Sequence, residues 1–146
     1  MNISTKIRLL VVCICAMTCS VNLFAQKTNT LHLLQKEWTL QLSQEWRSTF
    51  KIIFTQDKWK DIVTGPKKTI TDEAKYYLSD SPDSIFHAEK VGKCYTGRYI
   101  IVLKQAKHLD GTYYKKVDDF KIIKLTDTDL ELRHLGSGTI VQCKCK

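Results

Sequence analysis

The side chains in this chain most able to do chemistry are three thiols, Cys94, Cys143 and Cys145, the cysteines that lie beyond the first 25 residues. Cys143 and Cys145 stand two apart, which on a strand puts both on one face, so either could reach Cys94. Cys94–Cys143 and Cys94–Cys145 both stay open as disulfides, and each leaves one odd thiol that could pair with another molecule. Closing a loop of about 50 residues in this way contributes roughly 2–4 kcal/mol. A metal or redox role fits less well, because C-K-C lacks the two-residue spacing of zinc and redox pairs. His32, His87, His108 and His134 are scattered singly and form no ligand motif. Asp127, Asp129 and Glu131 alternate without the glycine and terminal glutamate of an EF-hand loop. No G-x-S-x-G, Walker loop or dinucleotide fingerprint occurs. The expectation is a protein with no catalytic residues, no cofactor and no metal.

The address is plainer than the chemistry. Lys6 and Arg8 precede the apolar run Leu9–Met17, which is too short to span a bilayer, since about 20 residues are needed. Leu23-Phe24-Ala25 then leads into polar sequence. This is the pattern of a secretory signal peptide over residues 1–25, cut after Ala25. It implies a periplasmic or extracellular protein and an oxidising compartment that permits disulfides. A minority reading makes Cys19 the lipid-bearing cysteine of an anchored form. Residues 26–146 are then one domain, with 21 Lys and Arg against 15 Asp and Glu. The basic residues are scattered, and Lys67-Lys68 and Lys115-Lys116 sit at turns or strand flanks, where lysine discourages edge pairing. No nucleic-acid module is visible, and none is expected as a partner.

The elements that position these residues are strands. Leu31–Glu37 reads as a single helical turn with Leu31 and Leu34 facing inward. From Trp38 onward the apolar period is two. Trp38, Leu40 and Leu42 share a face, as do Phe50, Ile52 and Phe54, and then Ala74, Tyr76 and Leu78. Tyr99–Leu103 is apolar on both faces, which marks a central strand or an outer face that something covers. Its assigned inward residues are Tyr99, Ile101 and Leu103, and Ser84–Lys90 is a weaker strand. Thr126–Asp129 turns between the arms Tyr113–Leu125 and Leu130–Leu135. In the first arm Phe120 and Ile122 lie opposite Ile123 and Leu125. Either a bulge at Ile122-Ile123 brings all four together, or the strand is buried on both faces. Eight or nine short strands joined by hairpin-sized gaps close most simply into an up-and-down antiparallel β-barrel of about eight strands.

The stretch LLQKEWTL, a β-meander, and a closing hairpin of the form I-x-K-L-T-x-x-x-L-E-L together resemble the small bacterial lipocalin-like domains. The likeness covers most of residues 31–135, with Lys36 where that family has glycine. It implies that Trp38 packs across the closed end of the barrel, with Arg133 as its basic partner. It further implies one small apolar or amphipathic ligand in the cup, bound without catalysis. An eight-stranded barrel is just wide enough either to be filled by its own side chains or to hold one small ligand. The alternative is therefore a filled barrel that works as a cell-envelope protein-interaction module, possible also in the form anchored through Cys19.

Overall fold

The computed structural model describes residues 30–42 and 47–145. The leader, Cys19 and the cut after Ala25 lie outside these described residues. One short helix, α1 (Thr30–Leu34), leads into eight strands: β1 (Glu37–Leu40), β2 (Thr49–Phe54), β3 (Lys58–Thr64), β4 (Thr69–Ser79), β5 (Tyr99–Lys107), β6 (Tyr113–Leu125), β7 (Asp129–His134) and β8 (Ile140–Lys144). Each strand pairs antiparallel with the next, and β1 pairs with β8 through Thr39–Lys144 and Leu40–Cys143, so the sheet closes into a barrel. Closure gives every strand a partner on both sides over at least part of its length.

Turn chemistry explains the short connections. Thr55 N–H donates to Lys58 O at 2.9 Å across Gln56-Asp57, and Gly65 N–H donates to Lys68 O at 3.0 Å across Pro66-Lys67. Pro66 supplies the fixed φ that such a turn favours. In β6 the register slips between Ile122 and Lys124. Ile123 is the extra residue of that bulge and is exposed, while Phe120, Ile122 and Leu125 all reach the core. The bulge therefore gathers three of the four apolar side chains. The fourth is left in solvent because the bulged residue itself has no partner to pack on.

The inward row corrects the expectation for β5. Ile100 and Val102 point into the barrel, and Tyr99, Ile101 and Leu103 point out. Ile101 is nonetheless fully buried, because residues 80–98 fold back over the outer face of β4 and β5. This strap packs Phe86 on Tyr77, with ring centroids 5.4 Å apart. Asp83 Oδ2 and Ile85 O both lie 3.2 Å from the Tyr77 hydroxyl, and Asp83 N–H donates to Asp119 Oδ2 at 2.9 Å. Burial comes first among the causes that push the Tyr77 phenol up to about 12, with the Asp83 charge adding to it. The strap contains a 3-10 turn at Ala88–Lys90 in place of the strand expected at Ser84–Lys90. Its return into β5 passes so close to β4 that a Cβ on Gly97 would meet Ser79 backbone atoms at 2.6 Å, and φ there is +154°. Only glycine fits that crossing.

Candidate functional site

Strand alternation sorts the connections between two ends. α1, the turn 55–57, the strap 80–98 and the hairpin 126–128 lie at one end. Residues 41–42 and 47–48 and the loops 65–68, 108–112 and 135–139 lie at the other.

The first end is shut. Leu31, Leu34 and Trp38 are buried there with Phe54, Tyr76, Leu78 and Leu130. The Trp38 indole N–H donates to Leu34 O at 3.0 Å, which fixes the ring against α1. Arg133 does not join it. Arg133 is exposed on the outward face of β7, while Leu130 and Leu132 take the inward positions. Lys36 instead donates to Asp127 Oδ1 at 2.8 Å and ties the start of β1 to the β6–β7 hairpin. Cys94, Cys143 and Cys145 all pack on the core, and no disulfide joins them. Cys143 occupies an inward position opposite Leu40 and Leu130 and serves as a core side chain. Burial pushes its thiol up to about 12, which makes it a poor nucleophile.

The other end is a cup. A cavity of about 340 Å³ opens there, with Leu40, Phe50, Ile52, Val63 and Val141 among its walls and Trp59 and Phe120 at its floor. The floor continues downward as stacked rings: Trp59 lies 4.9 Å from both Phe120 and Phe54, and Phe54 lies 5.5 Å from Tyr76. Such edge and tilted contacts hold the rings in a fixed arrangement.

One ion pair stands inside this apolar cup. Lys104 Nζ donates to Asp61 Oδ2 at 3.0 Å, and Trp59 Nε1–H donates to Asp61 Oδ1 at 2.6 Å. The ammonium also lies 5.0 Å from the Trp59 ring centroid and 5.9 Å from that of Phe120, where the negative ring faces attract it. Both Asp61 oxygens thus have a donor. Lys104, with three N–H donors and one of them spent on Asp61, keeps capacity for an acceptor placed in the cup.

A second polar cluster borders the mouth. His134 Nε2 lies 3.2 Å from Asp118 Oδ1, and its Nδ1 lies 2.8 Å from Ser137 Oγ, with the ring 5.0 Å from Phe120. Burial works against ionisation of Asp118. Hydrogen bonds and charge from Lys116 and His134 outweigh it and hold the carboxyl below its usual value. Serine, histidine and aspartate in contact suggest a hydrolytic triad. The Ser137 backbone N–H, however, also donates to His134 Nδ1, at 3.2 Å. That engages the lone pair a general base would need for the hydroxyl. Ser137 Oγ lies 2.8 Å from Thr139 Oγ1, which completes a pinned β7–β8 loop. The cluster latches the rim.

Sequence spacing pointed to neither polar group at the mouth. Asp61 and Lys104 are 43 positions apart and meet only because β3 and β5, on either side of β4, both turn these side chains into the cup. The signal was the alternation itself: Trp59 and Asp61 share a face, as do Ile100, Val102 and Lys104 once β5 is read with those residues inward.

No helix among the described residues is long and apolar enough to cross a membrane, and no cluster of three or more His, Cys, Asp or Glu among them could hold a metal ion. Compared with protein-family models, curated proteins and solved structures, the chain matches none.

Proposed function

We propose that this is an exported binding protein that carries one small amphipathic molecule in the open cup, as the likeness to lipocalin-like domains implies. The observation that carries the reading is a largely apolar cavity into which Lys104 projects, paired with Asp61 and with donor capacity left over. Its volume of about 340 Å³ falls within the usual range for ligand pockets, roughly 300–1,000 Å³. At about 30 Å³ for each water of liquid volume, that is space for on the order of eleven water-sized groups. Ring faces and aliphatic walls take the apolar body of the ligand, and Lys104 orients a polar end.

Native mass spectrometry of the protein purified from its source tests this. A co-purifying small mass is expected, and it should disappear from a Val141→Phe variant that fills the cup but keeps its melting temperature. Protein that carries no small mass, or a mass retained in the filled variant, overturns the reading.

A further inference from the structure

The two ends of the barrel differ in charge as well as in closure. In its connections the closed end carries Asp57, Asp80, Asp83, Glu89 and Asp127 against Lys90, Lys93 and Arg98, whereas among the described residues of the mouth loops Asp110 is the one acid against Arg47, Lys67 and Lys68. Asp110 is spent inside its own turn, where it accepts from Thr112 N–H at 2.9 Å and faces Thr112 Oγ1 at 2.6 Å. The same end carries Lys67 and Lys68 on the β3–β4 turn and Lys107 and Lys115 on the β5–β6 hairpin, all exposed.

That hairpin has an unusual position. β4 pairs with β5 only as far as Leu103, and β7 pairs with β6 only from Phe120 onward. Beyond Lys104, whose side chain reaches Asp61 in the cup, residues 105–115 therefore continue as a two-stranded ribbon whose strands pair only with each other. Its tip exposes Leu109 completely, with Tyr113 at 64 % and Tyr114 at 41 %, and Ile70 at the start of β4 is half exposed. Apolar groups on a projecting ribbon, ringed by lysines, are costly in water and suit the boundary between headgroups and acyl chains.

We infer that the mouth docks on an anionic lipid surface, with Leu109 and Tyr113 seated at the headgroup boundary and the lysines paired with lipid charge. Nucleic acid fits less well, because the most exposed side chain of the tip is the aliphatic Leu109, which has no ring face for a base, and each tyrosine beside it already has one ring face engaged. Lys107 Nζ already lies over the Tyr113 ring at 5.5 Å, and His108 lies on Tyr114 with centroids 4.2 Å apart. Leu109 stays fully exposed beside the two part-exposed tyrosines, a set of side chains suited to a bilayer boundary. This goes beyond the binding reading and does not need it, although docking in this pose turns the cup towards the lipid.

The test uses the full chain with phosphatidylcholine vesicles, with and without phosphatidylglycerol. Co-sedimentation should require the anionic lipid and weaken at high salt. Residues 105–114 should gain hydrogen-exchange protection on the vesicles, and residues 126–129 should not. A Lys107→Glu/Lys115→Glu variant should partition at least about tenfold more weakly, and Leu109→Asp should lose the protection at the tip, both with unchanged melting curves. Residues 1–25, with Lys6 and Arg8, are common to all these chains, so the variants and the exchange at 105–114, rather than the lipid dependence alone, decide the outcome. Equal binding to neutral vesicles, undiminished binding by the variants, or protection confined to the closed end overturns the proposal. So does binding of single-stranded nucleic acid or a soluble acidic protein that protects 105–114 while vesicles do not. Binding of a soluble probe in the cup, measured without vesicles, reports on the carrier reading separately.

Discussion

The closed end and the mouth are built from the same eight strands, yet they follow opposite rules. At the closed end nearly every polar group is used to sew one connection to another. Leu31 N–H donates to Tyr95 O at 3.1 Å, Gln56 Nε2 to Gly92 O at 2.8 Å, and Cys145 N–H to Thr128 O at 3.0 Å. The Tyr76 hydroxyl donates to Thr55 O at 2.6 Å, and burial raises its phenol well above the ordinary range. At the mouth the charged pair Asp61 and Lys104 takes inward positions among apolar walls that include Phe50 and Val63. Stability is concentrated at one end, which leaves the other free to present a cavity.

Trp38→Ala should break that arrangement most severely. It empties a fully buried site, removes the bond to Leu34 O and unseats α1, so a loss of about 3–5 kcal/mol is expected in chemical denaturation. A loss below about 1 kcal/mol would mean that α1 and the floor do not depend on one another. Gly97→Ala comes next. A methyl group there meets Ser79 backbone and faces a disallowed φ, so about 1–3 kcal/mol should go, with faster hydrogen exchange across the strap. A neutral substitution would show that the strap is not pressed against β4.

The closed end was the more legible half. Trp38, the helical turn before it and the two-residue periodicity up to Phe54 all speak through local pattern, and the bulge at Ile123 is visible as a phase slip of apolar residues. β5 was ambiguous, because Tyr99–Leu103 is apolar on both faces and the strap that covers Ile101 has no periodicity of its own. Reading that strand one step off hid Lys104 among outward residues and with it the heart of the cup. Arg133 was misplaced for a related reason. A basic residue near a barrel end is easily assigned to a distant tryptophan, but the pleat turns it outward between Leu132 and His134. The cysteines were expected as a cross-link, and the structure uses Cys143 as packing.

At the mouth, Lys104→Met should cost little stability and alter binding sharply. Asp61 keeps its bond from Trp59 and some solvent, so the loss should stay near about 1 kcal/mol, as for a partly exposed ion pair. Occupancy of an amphipathic probe with an acidic head should fall, while a neutral apolar probe should bind at least as well. If both probes respond equally, Lys104 does not orient the ligand and the polar half of the carrier reading fails.

The smallest effect compares the two ends through pH. Asp129 at the closed end is held at about 2, first by the hydrogen bond from Lys144, then by that from Thr128 and by the charge of Lys124. Its ordinary value is 3.8. A carboxyl depressed by folding contributes stability that is complete above the ordinary value and is lost as the pH falls towards the depressed one. Asp118 at the mouth is shifted the same way, so both ends weaken in acid. Asp119, under the strap, runs against them. Burial raises its carboxyl, Asp83 N–H opposes the rise, and the negative charges of Asp83 and Asp118 add to it. Protonation there favours the folded form, so the strap should outlast the two ends. Urea unfolding from about pH 5 down to about pH 2 should therefore show a falling midpoint. Asp129→Asn should flatten that fall, and Asp119→Asn should steepen it by removing the group that gains stability in acid. An Asp129→Asn variant as acid-sensitive as the parent would show that Lys144 and Asp129 exchange their contact for water, and that the closed end is held by its core alone.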